Sequence, residues 1–278
     1  MVKKAAYFLT FSIMHISAIG IILYAFLPIA RWYIDYRPVW GVEFFLLYNL
    51  TNILAMNFVL PFAFWHYAGF GGWPAYIYPS LHTYIAYFFS RFFDLVYGIQ
   101  IWVMVSTFLF VAGSYFLFFI LSRNVILAAI LAIGAAYSSG VYQTLTWAGS
   151  IPSFATQAAF PWALFFLVWY IKSSKMRLLL TSALVAGIAI WGHPLIFVIY
   201  IVPAVFILTF LRFDRGLAII VKIKTVSVFL IVALIIGLPL FATAFKNKNP
   251  TEAAFKANYG KSALSTTTIT PTAQTELE

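Results

Sequence analysis

Long apolar runs, separated by short clusters of Lys and Arg, organise this chain. The clusters are Lys3 and Lys4, then Arg123, then Lys172, Lys175 and Arg177, then Arg212, Arg215, Lys222 and Lys224. At about 1.5 Å per helical residue the intervening runs are long enough to cross roughly 30 Å of hydrocarbon. They lack the two-residue alternation of barrel strands, and in lipid the backbone must satisfy itself, so the runs read as helices. The pattern predicts an all-α, polytopic membrane protein with about seven transmembrane helices. The spans are expected at 6–30, 99–121, 125–142, 154–171, 178–191, 195–211 and 225–243. Together they form one module over 1–245, followed by a polar, flexible tail over 246–278.

Between the first two spans lies a long segment, 31–98, with two further helical candidates at 42–60 and 79–97. The first carries Glu43, Asn49, Thr51, Asn52 and Asn57, and the second His82, Arg91 and Asp94. Groups of this kind cost several kcal/mol at mid-bilayer. If only one candidate crossed, every later basic cluster would change sides, so both cross or neither does, and interfacial helices are the better reading. Trp32, Trp40, Trp65 and Trp73 then sit at headgroup depth. A cytoplasmic N-terminus puts each basic loop inside and the C-terminus outside, as the positive-inside rule requires. Lys246 and Lys248 fall outside in this arrangement.

Composition agrees: 64% of residues are hydrophobic and 9% charged, against about a quarter charged in soluble domains. The formal charge of +10 needs no nucleic acid, because the cations lie in inter-helix loops. There is no cysteine, which excludes disulfides, thiolate metal sites and thiol catalysis. The N-terminal run is too long for a signal-peptide core and reads as a retained first helix. No Gly-rich phosphate loop or nucleotide fingerprint is present.

Candidate chemistry concentrates on the face away from the basic loops. Glu43 opens the first interfacial candidate, where a helix N-terminus favours the ionised carboxylate and a general base becomes available. Asp35, between Arg31 and Arg37, is the second carboxylate. Both acids also read simply, as a helix cap and a surface ion pair. Arg91 and Asp94, three apart, share a helical face and can pair; alternatively Arg91 clamps phosphate oxygens in the planar fashion of guanidinium. Arg37, His82 and His193 complete the anion-binding candidates. Trp147, Ser150 and His66 are candidate loop contacts for an acceptor. His15, within the first span, reads as a helix-to-helix hydrogen bonder. No metal-ligand spacing links His66 and His82, so a metal site built from them is not expected; a divalent metal stays open but has no Asp-x-Asp pair to support it. Asn49-Leu50-Thr51 fits a glycosylation sequon weakly.

Two stretches of the long segment carry a resemblance: Trp40-Gly41-Val42-Glu43-Phe44-Phe45, and Trp73-Pro74-Ala75-Tyr76-Ile77-Tyr78-Pro79 leading to His82 and Arg91. With the turns Trp147-Ala148-Gly149-Ser150-Ile151-Pro152 and Gly192-His193-Pro194, the order of elements resembles the GT-C superfamily of integral-membrane glycosyltransferases. The resemblance implies transfer of a sugar from a polyprenyl-phosphate-linked donor on the outer face, with inversion and Glu43 as base. Many members have paired acids where this chain has Val42-Glu43. That departure implies a monophosphate donor stabilised by Arg, with no metal-bridged pyrophosphate. Members commonly continue past the seventh span, so the chain corresponds to a truncated product, a minimal form or one subunit. A competing expectation is a non-catalytic membrane subunit that binds membrane-protein partners or lipids. A transporter is disfavoured, because no inverted repeat or mid-membrane carboxylate is found.

Overall fold

The computed structural model describes residues 2–35, 80–138, 151–212 and 218–246, with 47–48, 51–52, 54–55, 65–66 and 73–74 from the long segment. The protein is helical. Its first helix, α1 (Val2–Asp35), carries Pro28 within it and runs past the expected end near residue 30. Nothing between Ala30 and Asp35 stops a helix. The stop signal lies further on at Pro38, which disfavours helical geometry at the residue before it. In the long segment, β1 (Trp65–His66) pairs antiparallel with β2 (Trp73–Pro74), a two-residue ladder with Trp65 opposite Pro74.

The second interfacial candidate divides. Its first part is α2 (Ser80–Ser90), and its last residues open α3 (Leu95–Ser122), which begins four residues before the expected 99. Asp94 makes the break, because its carboxylate accepts from the Tyr97 N–H at 2.9 Å as the N-cap of α3. The helical Arg91–Asp94 pairing anticipated above therefore does not form. Arg91 instead lies over the Tyr87 ring, 5.9 Å from its centroid.

Two-residue connections follow at one end of the bundle. Arg123 ends α3 and Asn124 caps α4 (Val125–Ala136) through Leu127 N–H. The chain then forms α5 (Ile151–Gln157), with Pro152 in its first turn, and α6 (Ala159–Ser173). The break between them has a direct cause, since Pro161 has no N–H and its ring crowds the carbonyl of Gln157, four residues back. Ser174 and Lys175 then lead into α7 (Met176–Gly192). Arg123 and Ser174 both take the left-handed conformation, φ 57° and 56°, a position helix ends normally give to Gly.

The next helix, α8 (residues 194–212), alternates α and π turns. Its first π turn, Phe197–Ile201, immediately precedes Val202-Pro203, and Val202 N–H bonds the Phe197 carbonyl. Widening the turn keeps the Pro203 ring off the carbonyl of Ile199. The last helix, α9 (Ile219–Lys246), starts earlier than the expected 225. Among the described residues, three helices are long and apolar enough to cross a membrane: Leu95–Ser122, Ser153–Ser173 and Ile219–Pro239. Four shorter apolar helices accompany them at Ser12–Pro28, Val125–Ala136, Met176–Gly192 and Pro194–Phe210.

Packing centres on α7, which lies between α6 and α9. Its inward face is built from Leu179, Ala183, Ala186, Ala189 and Ile190, all buried. Ser182 Oγ donates to the Ala163 carbonyl at 2.6 Å. Small residues let backbones approach, as membrane helix pairs require. At Gly187 an added Cβ would stand 2.7 Å from the Cβ of Ile236. On the other side α1 packs on α3 and α4. As expected, His15 bonds across helices, its Nδ1 lying 2.5 Å from the Tyr115 hydroxyl.

Arg123, Lys172, Lys222 and Lys224 lie at one end. Lys172 Nζ donates to the Ile120 carbonyl beside Arg123, and the Tyr170 hydroxyl meets Thr225 Oγ1 at 3.3 Å, close to Lys222 and Lys224. The α2–α3 hairpin and the end of α7 lie at the opposite end.

Candidate functional site

At that opposite end, four sequence-distant segments meet around His82. The ring is 1% exposed. Trp102 Nε1 on α3 donates to His82 Nδ1 at 3.3 Å, and His82 Nε2 lies 2.7 Å from Thr156 Oγ1 on α5. An indole N–H can only donate, so Nδ1 is an acceptor and the ring proton resides on Nε2. Nε2–H therefore donates to Thr156. Burial, with a smaller repulsion from His193, pushes the His82 pKa down to about 3. The imidazole is neutral, and protonating Nδ1 would cost it the Trp102 bond.

The fourth segment is the Gly192-His193-Pro194 turn. Gly192 ends α7 directly against the pair: a Cβ there would stand 2.3 Å from Thr156 Oγ1 and 2.6 Å from His82 Nε2. Only glycine admits the backbone this close. His193 follows in extended geometry, its N–H bonded to the Ala189 carbonyl at 2.9 Å, and Pro194 starts α8 where its missing N–H costs nothing.

Below this node a buried cluster joins the long segment to the bundle. Leu47 packs with Ala86, Ile99, Trp102, Val103, Phe154 and Ala155. Leu47, Thr51 and Leu54 are each 0% exposed, a spacing of four and three that buries one helical face. Thr51 Oγ1 donates to the Leu47 carbonyl at 2.7 Å, so the Asn49-Leu50-Thr51 sequon has its hydroxyl inside the protein. Among the described residues, Gln100 is 1% exposed and neither of its amide atoms has a hydrogen-bond partner.

Of the residues anticipated from sequence, the fold brings His82 and His193 together. Arg91 is exposed at the hairpin tip, nine residues from His82 and so about 13 Å along the helix axis. Asp35 ends α1, and His66 belongs to the two-residue ladder. Glu43, Arg37, Trp147 and Ser150 lie outside the described residues. Sequence reasoning missed Trp102, Thr156, Gln100 and Gly192. The first three sit at or inside the edges of apolar runs that read as spans, where one polar group looks incidental. Gly192 was visible only as a turn. Among the described residues no group of three or more His, Asp or Glu is placed to hold a metal. Comparisons of the chain with protein-family models, with curated proteins and with solved structures give no match.

Proposed function

We propose that the protein is a lipid-dependent glycosyltransferase working at the end of the bundle opposite its basic connections, on the non-cytoplasmic face. In this reading all seven apolar helices cross the membrane with the N-terminus inside, and the basic end faces the cytoplasm as the positive-inside rule requires. Glu43 takes the proton from an acceptor hydroxyl. The acceptor oxygen attacks the anomeric carbon while the bond to the polyprenyl phosphate breaks. Arg91, with Arg37, holds the departing phosphate through paired N–H donors, and Asp35 and His66 border the acceptor side with Trp147 and Ser150. The neutral His82 is a positioning residue here: it ties α2 to α5 and α3, and His193 approaches from α7.

The observation that carries the reading is the cluster around Leu47. Leu47 stands four positions after Glu43 in the sequence, and it shares a buried core with α2, the helix leading to Arg91, and with α5. Leu47, close in sequence to the candidate base, and the helix that leads to the candidate phosphate clamp thus share one buried cluster. The test is sugar transfer in membranes supplied with polyprenyl-phosphate-sugar. Glu43→Gln is expected to lower turnover by at least about a hundredfold, within the range of a general base, with protein level unchanged. Transfer at the wild-type rate in Glu43→Gln removes the base; no transfer by the wild-type chain supports the non-catalytic subunit instead.

A further inference from the structure

The basic end of the bundle carries a groove that the proposed reaction does not use. It opens between α1, α3 and α6, holds about 590 Å³, and is lined by Ser12, His15, Phe116, Phe119, Phe165 and Trp169 among others. That size is in the range of small-molecule sites, and its wall is almost wholly apolar. The wall is built rather than incidental. Phe116 and Phe165 face one another with centroids 5.8 Å apart, Phe165 and Trp169 at 5.5 Å, and His15 meets Phe119 edge-on at 4.5 Å. The Tyr115–His15 hydrogen bond sets the separation of α1 from α3 at its inner edge.

Two cations, one in the turn after α3 and one near the end of α6, stand at one end of this groove. Ile120 and Trp169 line it; Arg123 follows the first by three residues and Lys172 follows the second by three. Lys172 therefore stands about 4.5 Å further along α6, and Arg123 is the left-handed residue that directly follows α3. Lys172 and Arg123 are near enough to repel each other. The left-handed geometry of Arg123 keeps that residue in the tight turn beside Lys172. Two like charges held side by side above an apolar cleft are complementary to a phosphate with an acyl chain attached.

The geometry points to a site for an anionic phospholipid, its headgroup phosphate between Arg123 and Lys172 and one acyl chain in the groove between α1, α3 and α6. Electrostatic attraction of this kind supplies about fivefold in affinity per cation near an anionic surface. The site is independent of sugar transfer, and lies at the other end of the bundle.

Native mass spectrometry of delipidated full-length protein, titrated with phosphatidylglycerol or with phosphatidylcholine, tests it. Wild type is expected to retain phosphatidylglycerol preferentially. Arg123→Asn, which keeps the tendency to left-handed geometry, combined with Lys172→Gln, which keeps a donor for the Ile120 carbonyl, is expected to lower that preference by roughly twentyfold. Ile16→Trp fills the groove and is expected to weaken both lipids while leaving thermal stability near that of wild type. Equal retention of the two lipids by wild type overturns the proposal, and so does an unchanged preference in the double variant. A protein helix is the rival occupant: efficient crosslinking of Ile16→Cys to a second polypeptide in native membranes, in a chain with no other cysteine, also overturns it.

Discussion

Gly192→Ala is the most informative single change. The new Cβ would stand 2.3 Å from Thr156 Oγ1 and 2.6 Å from His82 Nε2, where ordinary contacts begin about an ångström further out. Thr156 and His82 are 2% and 1% exposed, so neither atom can retreat to water. Overpacking a tight interior costs about 1–3 kcal/mol, and separating the buried Nε2–Oγ1 pair about 1–3 kcal/mol more. Alanine returns about 0.5–1 kcal/mol in backbone entropy. The net loss is then about 1–5 kcal/mol, or roughly 2–20 °C in melting temperature for a chain of this order of size. Gly134→Ala in α4 is the control, because a Cβ there meets nothing within 4 Å. The readout is the thermal midpoint of purified protein in detergent. Gly192→Ala is expected to melt well below wild type and Gly134→Ala at or slightly above it. Combined with Thr156→Ala, which removes the closer obstruction, Gly192→Ala should cost less than the two single losses added. If Gly192→Ala melts with wild type, the close approach of α7 to the His82–Thr156 pair is wrong.

Three further outcomes follow from the same geometry. His82 is neutral when folded, with a pKa of about 3, and ordinary, at 6.5, when unfolded; the unfolded chain therefore binds the extra proton, and stability is lost as pH falls below 6.5 towards about 3, by up to about 1.4 kcal/mol per pH unit. Melting temperatures from pH 7.5 to 4.5 should show this slope in wild type and a much shallower one in His82→Gln. Gln100→Met replaces a buried amide having no hydrogen-bond partner among the described residues with an apolar chain of similar length, and is expected to leave the melting temperature unchanged or raise it; a clear drop contradicts the lack of a partner. Asn124→Ala removes the side-chain bond to Leu127 N–H and should cost about 1 kcal/mol, read as a lower thermal midpoint.

Much of the architecture was legible in the sequence because lipid imposes so simple a rule on the chain. Apolar runs bounded by Arg123-Asn124 and Ser174-Lys175 became helices ending at those residues, since left-handed and capping positions fall there. What hydropathy could not register was backbone chemistry inside the runs. Pro161 splits α5 from α6, and Pro203 is accommodated by a π turn. Asp94 caps a helix and thereby breaks a segment whose periodicity reads as continuous. The site was legible as a list but not as a constellation. His82 and His193 stood out as rare polar groups, whereas the Thr156 bond to His82 spans 74 positions and leaves no local trace. Trp102 looked like one aromatic among many in an apolar helix.

The central claim is that the bundle has a cytoplasmic basic end and a catalytic end facing away from it. Single cysteines placed in this cysteine-free chain test it directly with a membrane-impermeant maleimide applied to intact cells. Asp35→Cys and Trp147→Cys are predicted to label from outside, and Ser174→Cys and Asp214→Cys only after the membrane is permeabilised. Labelling of Ser174→Cys in intact cells, with Asp35→Cys and Trp147→Cys protected, would contradict the account.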